Sequence, residues 1–394
     1  MLSVLKPSPA DPILQLAADF RQDARETKLD LGVGVYKDSS GLTVIPRAVK
    51  VAEGRLLEEQ DTKTYVGLLG DVGFCQAMGD LVLGDAAPAD RLAAIQTPGG
   101  GGALWILMSL AAKAAPGAKI WVSTPTWGNH KAIAASVGLG VAEYAYFDHA
   151  SGEVEFDRMA EDLKSAGAGD IVLLHGCCHN PTGANLTLAQ WETLTEMALA
   201  QGFTPFIDIA YQGFGDGLAE DAAGLRHMAA AVPEMFVAAS CSKNFALYRD
   251  RVGCAMALCE NPAAQAAVEA NLKTLMRVSI SMPPDHGAAV VRMILNGPSL
   301  RTAWEDELTQ MRTRMLSLRE ALAAALRERM NTDRFDFIAR HRGMFSLTGL
   351  SAEQVDRLRE ERAIYLIRDS RMNIAGLRED RIDEVAEAFA AVIG

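Results

Sequence analysis

Ser240-Cys241-Ser242-Lys243-Asn244-Phe245 follows directly on an apolar run, residues 235–239, and Arg251 comes eight residues after the lysine. The apolar run predicts a buried strand, so Lys243 is expected just beyond a strand end. Hydroxyl groups and a guanidinium match the oxygens of a phosphate, which makes Ser240, Ser242 and Arg251 candidates to hold a phosphate ester. The amine of Lys243 is then placed to form a Schiff base with an aldehyde on the same molecule.

Strand and helix patterns alternate on the N-terminal side of this stretch and continue to about residue 260. Short apolar strands separated by helices predict a mostly parallel α/β sheet that is buried on both faces. Ligands bind such sheets at the carboxyl ends of the strands. Trp127, Asn180, Asp208 and Tyr211 all lie at or just after predicted strand ends and are therefore candidate site residues. The predicted strands are residues 119–123, 141–147, 171–174, 206–209, 235–239 and 254–258.

Two glycine patterns suggest places where a ligand approaches the backbone. Gly99 to Gly102 precede a helix predicted over residues 103–114, whose free N–H groups would form an anion cradle. This run lacks the GxGxxG spacing of a dinucleotide-binding turn, which weighs against a nicotinamide-dependent dehydrogenase. Gly32 and Gly34 alternate within an apolar run, and they fit either a ligand contact or a strand with a bulge.

Composition limits the class of protein. The chain has 394 residues, enough for two domains with substantial cores, and a net charge of −12 without a basic block, which argues against nucleic-acid binding. The first residues lack the pattern of a signal peptide, and the longest apolar run, residues 103–112, is too short to span a bilayer. We therefore expect a cytoplasmic protein with no membrane partner.

Cysteine spacing points to the same compartment. The six cysteines are scattered without a CxxC pair, as expected in a reducing environment. Cys177 and Cys178 lie between His175 and His179, which resembles a metal-ligand cluster. Adjacent cysteines rarely both reach one ion, and Asn-Pro-Thr-Gly follows directly, so we predict no metal site.

The order of Lys243, Asp208, Tyr211, Asn180 and Arg371 along the chain resembles the class I aminotransferases of the aspartate and aromatic-amino-acid group. These are fold-type I enzymes that use pyridoxal phosphate (PLP), and the nearest likeness is to bacterial aromatic-amino-acid aminotransferases. The resemblance covers nearly the whole chain. Its longest motifs are His175-Gly-Cys-Cys-His-Asn-Pro-Thr-Gly183, Asp208-Ile-Ala-Tyr-Gln-Gly-Phe214 and Ser240-Cys-Ser-Lys-Asn-Phe245.

The resemblance implies a large PLP-binding domain, residues 44–298, with a mostly parallel sheet flanked by helices. It also implies a smaller α+β domain built from both termini, residues 1–43 and 299–394, joined by a long helix over about 299–330. Hydrophobic positions recurring at 304, 308, 311, 315, 318, 322 and 326 independently predict that helix.

The resemblance also implies roles around the cofactor ring. Lys243 is implied to form the Schiff base with the cofactor and to carry the proton between Cα of the substrate and C4′ of the cofactor. Asp208 is implied to pair with the pyridinium nitrogen of the cofactor ring. Tyr211 and Asn180 are implied to form hydrogen bonds with the 3′-oxygen of the ring, and Trp127 is implied to stack on the ring face. His130 is expected close behind Trp127, and His175 is expected to support the region of Asp208.

The remaining implied residues hold the phosphate and the substrate. Arg371, beside Gly34 and Asn180, is expected to bind the substrate α-carboxylate, with Trp127 nearby. Arg277 comes from the partner subunit and pairs with an acidic substrate side chain, so the resemblance implies a homodimer with shared active sites. The phosphate residues are Gly100, Gly101, Ser240, Ser242, Arg251 and, from the neighbouring subunit, Tyr65.

Two departures from the family pattern bear on function. Gly101 stands where the family usually has threonine, which removes one hydroxyl contact to the phosphate. Ile280 replaces a frequent tyrosine and Met282 follows nearby, so a more apolar wall is expected near the substrate side chain. We predict a transaminase that moves the amino group of an aromatic amino acid or aspartate to 2-oxoglutarate by a ping-pong mechanism.

The sequence also allows other functions. The first alternative is a plain aspartate aminotransferase. A PLP lyase or decarboxylase on the same fold is disfavoured, because Arg277 and Arg371 together suit dicarboxylic substrates. A PLP-binding regulator without activity would need a lost lysine or a fused DNA-binding domain, and the sequence shows neither.

Overall fold

A seven-stranded sheet forms the centre of the protein in the computed structural model, which describes residues 1–7 and 11–394. Further strands form three small two-stranded sheets. In chain order the strands are β1 (Leu29–Asp30), β2 (Leu92–Pro98), β3 (Lys119–Thr124), β4 (Gly140–Ala145), β5 (Phe147–Asp148), β6 (Glu153–Val154), β7 (Ile171–His175), β8 (Thr204–Ile209), β9 (Met235–Ser240), β10 (Val252–Leu258), β11 (Phe345–Leu347), β12 (Ile364–Tyr365) and β13 (Arg371–Asn373).

The central sheet has the strand order β2-β10-β9-β8-β7-β3-β4. The pairs from β9 through β8, β7 and β3 to β4 are parallel, whereas β10 runs antiparallel to both of its neighbours. The predicted mostly parallel sheet is therefore confirmed. Because β3, β7, β8 and β9 point the same way, the polar residues after them meet at one edge of the sheet.

Helices flank the sheet and build the rest of the molecule. The longest, α11, extends along the molecule and contacts both α10 and the C-terminal α14. In chain order the helices are α1 (Pro12–Gln22), α2 (Arg47–Glu59), α3 (Val72–Val82), α4 (Gly99–Ala114), α5 (Asn129–Ser136), α6 (Phe156–Leu163), α7 (Leu188–Gln201), α8 (Ala223–Ala231), α9 (Pro262–Ser279), α10 (His286–Asn296), α11 (Pro298–Met330), α12 (Phe337–Arg340), α13 (Ala352–Arg362) and α14 (Ile382–Ile393).

The glycine run lies inside a helix and not before it, which corrects the predicted start of α4. Strand β2, which sequence patterning missed, leads straight into Gly99, and Gly99 to Gly102 form the first turn of α4. Gly99 has a φ of +72°, and a Cβ on it would lie 2.5 Å from Nη2 of Arg251. Glycine is therefore required at this sharp junction of strand and helix.

One predicted strand is interrupted, and one apolar run for which a strand is one of two interpretations forms only a short strand. The strand predicted over 141–147 is divided between β4 and β5. The apolar run from Leu29 continues as a strand only to Asp30, because the Asp30 carboxylate accepts hydrogen bonds from the N–H groups of Gly32 and Val33. Such a local side-chain bond turns the backbone out of the strand.

Apolar side chains form separate cores. Two large clusters cover the faces of the central sheet, and a third joins β1, the C-terminal half of α11 and helices α13 and α14. Helix α11 contributes to two cores, with Trp304 and Leu308 in one and Leu318 and Leu322 in the other. The division into residues 44–298 and the two terminal segments stays a prediction. Within the described ranges, no helix is both long enough and apolar enough to cross a membrane.

Candidate active site

A cavity of about 240 Å³ opens at the carboxyl edge of the central sheet. Residues following β7, β8 and β9 form its floor, and the first turn of α4 closes one end. Segments from near both termini close the other end. The lining residues are Ile13, Gly34, Gly100, Gly101, Leu104, Trp127, His175, Cys177, Asn180, Asp208, Ala210, Tyr211, Ser240, Ser242, Lys243, Arg251, Phe345 and Arg371.

Lys243 lies in the turn after β9 with its amine inside this cavity. Its Nζ is 5.1 Å from the centre of the Tyr211 ring. Burial lowers the pKa of Lys243 to about 8; the nearby Asp208 carboxylate opposes this shift, and the charges of Arg251 and Arg371 add to it. The amine therefore gains and loses a proton much closer to neutral pH than an exposed lysine does.

Asp208 faces the cavity from β8 and is held from behind by histidine. Nε2 of His130 lies 3.0 Å from Oδ2 of Asp208, and Oγ1 of Thr126 is 2.8 Å from Nδ1 of the same ring. Thr126 also lies 3.2 Å from Nε2 of His175. This chain of hydrogen bonds fixes the orientation of the carboxylate.

The same surroundings determine the charge on Asp208. Burial alone would raise the pKa of Asp208, but the hydrogen bond from His130 and the charges of His130, His175 and Lys243 outweigh it, so the net shift is downward. Burial also lowers the pKa of His175 to about 3. At neutral pH the site thus presents an ionised carboxylate next to a neutral His175.

Asn180 connects the floor of the cavity to its outer wall. Its Nδ2 donates to the Tyr211 hydroxyl over 3.4 Å, and its Oδ1 accepts from Nη1 of Arg371 at 3.2 Å. Burial raises the pKa of Tyr211, so this phenol is protonated at neutral pH. Asn180 therefore orients one phenol and one guanidinium at once.

Arg371, at the start of β13, is a buried cation with an unused donor. Its Nη2 donates to the carbonyl of Gly32 at 3.1 Å, and its guanidinium lies 4.4 Å from the centre of the Phe345 ring. Burial lowers the pKa of Arg371. Among the described residues, its buried Nε has no hydrogen-bond partner. A guanidinium in this state favours a bound carboxylate, which accepts two parallel N–H bonds.

Hydrogen-bond donors and small residues form the inner end of the cavity. Arg251 donates from Nη1 to the Ser242 hydroxyl at 3.4 Å, and the Ser242 N–H donates to the Ser240 hydroxyl at 3.3 Å. A Cβ on Gly100 would lie 2.9 Å from Cβ of Ser240, whereas a Cβ on Gly101 would meet nothing within 4 Å. Together with the N-terminus of α4, these groups form a site for an anion.

Two predicted site residues lie outside this cavity. Tyr65 is 88% exposed, and Arg277, also exposed, donates to the Ser281 hydroxyl at 2.7 Å. In the described part of the chain, neither Ile280 nor Met282 lines the cavity, so the chain does not form the expected apolar wall from these residues in its own cavity. The apolar lining comes instead from Ile13, Leu104 and other residues.

The sequence of the chain was compared with models of known protein families. The model described as aminotransferase class I and II matches residues 26–389. The chain belongs to this family. The predicted family and fold class are thereby confirmed.

Individual relatives of this aminotransferase match over its full length. It is 51% identical over 392 residues to the aromatic-amino-acid aminotransferase of Paracoccus denitrificans, with 100% of both chains covered. It is 44% identical over 397 residues to the aspartate aminotransferase of Escherichia coli strain K12, again with 100% of both covered. A structure of the aromatic-amino-acid aminotransferase from Burkholderia pseudomallei, covalently bound to pyridoxal phosphate, superimposes with a TM-score of 0.97 at 40% identity and covers 100% of each chain.

Sequence patterning missed several lining residues of this aminotransferase. Ile13 reaches the cavity from α1 and Phe345 from β11, so both come from segments far from the motif-bearing strands. Leu104 lies one turn into α4, and Cys177 follows β7. Cys177 stood inside a recognised motif, but nothing in the local sequence of Ile13 or Phe345 indicates a site.

Proposed function

We propose that this aminotransferase binds PLP in the cavity and transfers the amino group of an aromatic amino acid or of aspartate to 2-oxoglutarate. The observation that carries the proposal is the meeting of Lys243, Asp208 and Arg371 in one cavity. A buried amine with a pKa of about 8, an ionised carboxylate and a guanidinium with a free donor are the groups that amino-acid chemistry on a pyridine aldehyde requires.

The inner end of the cavity fits a phosphate. Gly101 leaves open space at the first turn of α4, and the Arg251 guanidinium lies beside the Ser240 and Ser242 hydroxyls. Gly100 cannot carry a side chain without meeting Ser240. These residues would hold the phosphate of PLP by backbone N–H groups and charge, which supports the view that the threonine hydroxyl usual at position 101 can be dispensed with.

The floor of the cavity fits a pyridine ring. Asp208, oriented by His130, would keep a proton on the ring nitrogen, while Tyr211 and Asn180 would bond the 3′-oxygen and Trp127 would cover one ring face. When bound, PLP supplies an electron sink for the pair released as the substrate Cα–H bond breaks.

Lys243 and Arg371 act on the substrate. Arg371 would bind the α-carboxylate with its guanidinium, which sets the position of Cα. Lys243 Nζ then accepts the proton from Cα and returns a proton to the cofactor side, as a general base and acid whose pKa lies near the working pH. Gly34 leaves room beside Arg371, because a Cβ there would lie 2.8 Å from the Phe345 ring.

We propose a homodimer in which Tyr65 and Arg277 complete the partner's site. Both are exposed and lie away from the cavity of their own chain, which supports action in trans. Arg277 would pair with the side-chain carboxylate of aspartate or 2-oxoglutarate. It would swing towards solvent when an aromatic ring enters, because a desolvated and unpaired guanidinium costs several kcal/mol.

Mixed subunits test the shared site. Lys243→Ala and Arg277→Ala are each expected to be nearly inactive towards aspartate. After subunit exchange, half of the dimers would be hybrids, and each hybrid would hold one site free of both lesions, so about a quarter of wild-type activity should return. If exchange is demonstrated and no activity returns, the shared site is wrong.

Turnover of a donor panel with 2-oxoglutarate tests the substrate range. Tyrosine, phenylalanine, tryptophan and aspartate should all donate, because relatives with both specificities match the whole chain. If aspartate donates and the aromatic amino acids do not, the protein is a plain aspartate aminotransferase. If none donates and an added amino acid is decarboxylated or cleaved, the reaction is wrong although the fold is right.

We also propose a cytoplasmic location and a division of the chain into two domains. The cytoplasmic compartment is supported by the six cysteines, which are all free and buried. The division into residues 44–298 and the paired segments 1–43 and 299–394 is supported by the separate core that joins β1 to α13 and α14. Protease cleavage at segment borders, followed by refolding of 44–298 alone, would test the division.

A further inference from the structure

Two adjacent thiols and a carboxylate converge behind the active-site wall. The Sγ atoms of Cys177 and Cys178 and a carboxylate oxygen of Asp221 all lie within 4.8 Å of one another. All three residues are buried, with exposures of 6%, 2% and 6%. The two sulfur ligands of a tetrahedral zinc ion lie about 3.8 Å apart, given Zn–S bonds of about 2.3 Å, so the three atoms lie within the range that one ion can bridge.

The backbone at Cys178 explains why adjacent side chains share one space. Cys178 has a φ of +50°, in the left-handed region that non-glycine residues rarely adopt. Adjacent cysteines rarely both reach one ion, but with this backbone angle the two sulfur atoms lie in one space. The histidines of the same motif are engaged elsewhere, because His179 contacts Ser123 and Thr182 at 3.0 and 2.9 Å, and His175 contacts Thr126.

A second cavity gives access to this cluster from outside the active site. It has a volume of about 130 Å³, and Cys177 and Asp221 both line it. Asp216 and Glu220 line the same cavity, so it is acidic and attracts cations. Cys177 and His175 also line the catalytic cavity, and they form the wall between the two spaces.

A buried cation balances the charge that metal binding would create. Arg319 is fully buried and donates to the carbonyls of Gly343, Ile338 and Phe345 and to the Ser346 hydroxyl. Within the described residues, no carboxylate forms an ion pair with it. Gly343 packs against Cys178, since a Cβ on Gly343 would lie 2.3 Å from Cβ of the cysteine. Two thiolates, one carboxylate and a divalent cation carry one negative charge, which Arg319 neutralises.

We propose that Cys177, Cys178 and Asp221 form a site for a thiophilic divalent cation of the zinc and cadmium kind, and that its occupation slows the aminotransferase. On binding, the cation replaces the two thiol protons, which pass to the buffer, and no electron is transferred. Three protein ligands leave a fourth position for water from the acidic cavity.

An effect on activity is expected because Asp221 and Cys178 also contact the loop that contains Tyr211. The Asp221 carboxylate accepts hydrogen bonds from the N–H groups of Gly213, Gly215 and Asp216 at 2.8–2.9 Å, and so fixes the loop that follows Tyr211. Cys178 Sγ lies 4.0 Å from the carbonyl oxygen of Tyr211. A cation that takes an Asp221 oxygen as a ligand would weaken these hydrogen bonds, and the loop would then shift together with the Tyr211 phenol.

Cadmium titration of the holoenzyme tests the binding site independently of any activity. In a buffer with a phosphine reductant, Cd²⁺ should give an ultraviolet thiolate-to-metal band equivalent to two thiolates, with one ion per chain. Cys178→Ser should halve the band and weaken binding about tenfold or more, whereas Cys259→Ser, a buried thiol outside the cluster, should change neither. A wild-type band below two thiolates, or a full band in Cys178→Ser, overturns the site.

Zinc inhibition tests the consequence and rests on the proposed function. Zn²⁺ should lower the turnover of the wild type, a chelator should restore it, and Cys178→Ser should need at least about tenfold more zinc for the same inhibition. Equal inhibition of the wild type and Cys178→Ser, or none in the wild type, overturns the regulatory role. A holoenzyme that lacks transaminase activity but shows the cadmium band would refute the proposed function and leave the site standing.

Discussion

The cavity has an inner end, formed by Ser240, Ser242, Arg251 and the first turn of α4, and an outer end, formed around Arg371 by segments from near both termini. The two ends are built in different ways. At the inner end, hydrogen bonds within one chain already fix Ser240, Ser242 and Arg251, and glycines at the start of α4 leave space for an anion. At the outer end, Arg371 keeps an unused Nε donor, while Arg277 lies exposed away from the cavity. One chain therefore preorganises most of the groups that would hold the phosphate. Under the proposed function it leaves open the end where substrate side chains of different kinds would bind.

The largest effect is expected at the inner end, from the loss of the amine. Lys243→Ala should lower the transamination rate by about 10⁴-fold, because general acid–base transfer by a positioned group contributes up to that factor. Steady-state turnover of aspartate and phenylalanine with 2-oxoglutarate measures it. Lys273→Ala is the matched control, since Lys273 pairs with Glu269 on an exposed face of α9. A rate within tenfold of wild type would remove Lys243 from the mechanism.

A smaller loss is expected when the carboxylate behind the ring site becomes neutral. Asp208→Asn should lower kcat by about 10³-fold for acidic and aromatic donors alike, since preorganised charge contributes about that much. The melting temperature should change little, because the amide oxygen still accepts from His130.

Asp170→Asn provides the contrasting control for that prediction. Asp170 does not line the cavity, and both of its carboxylate oxygens accept, Oδ1 from the Lys119 N–H at 3.3 Å and Oδ2 from the Trp121 indole N–H at 3.1 Å. An amide can accept on only one side, so this substitution should lower stability and spare kcat. If both variants lose stability and neither loses rate, Asp208 has a structural role only.

At the outer end the expected loss is selective. Arg277→Leu should reduce the half-reactions of aspartate and 2-oxoglutarate by about 10²- to 10³-fold, the equivalent of an unpaired buried carboxylate at about 3–4 kcal/mol. The half-reactions of phenylalanine and tyrosine should stay within about threefold, because an aromatic ring does not use this charge. Single-turnover absorbance changes separate the two classes.

The control for this prediction is Arg301→Leu, which removes an exposed arginine paired with Glu305 on α11. It should leave every half-reaction unchanged. Equal losses for acidic and aromatic substrates in Arg277→Leu would mean that Arg277 supports the subunit interface and not the substrate side chain, and the difference between the two ends would disappear.

The same difference explains how much of the molecule could be predicted from its sequence. Continuous apolar runs predicted β3, β7, β8 and β9, and because parallel strands align their carboxyl ends, the polar residues after them had to meet. Strand β2 was missed, since Leu-Ala-Ala-Ile-Gln-Thr-Pro has few β-branched residues and its alanines favour a helix. The first turn of α4 was missed because four glycines disfavour a helix interior.

Residues that reach the site from distant segments could not be predicted locally. Ile13 and Phe345 look like ordinary core positions in their own elements, and only tertiary packing brings them to the cavity. The convergence of Cys177 and Cys178 depends on a φ of +50° at the second residue. No propensity predicts that angle for a cysteine, so the arrangement becomes visible only in three dimensions.

The smallest expected effect is on the free energy of unfolding, which burial of the Lys243 amine lowers while the amine is charged. Burial lowers the pKa of Lys243 from 10.5 to about 8, so between these values the unfolded chain binds more protons than the folded one. In that window the free energy of unfolding therefore rises with pH. Below about pH 8 the folded protein carries the full cost of the buried charge, and above pH 10.5 the cost is gone.

Lys243→Met keeps the volume of the side chain and removes this titration. The cofactor-free variant should be more stable than the cofactor-free wild type at pH 7 by about 2 kcal/mol, somewhat less than the pKa shift alone implies, because Asp208 loses a neighbouring positive charge. The gap should shrink towards zero as the pH rises from 8 to 10.5, since the other groups titrate alike in both proteins. Urea unfolding at equal protein concentration measures it, and Lys273→Met, exposed on α9, should show no such gap. A gap that is constant or grows with pH would mean that the amine is not strained by burial, and the inner end would then be no more costly to build than the outer one.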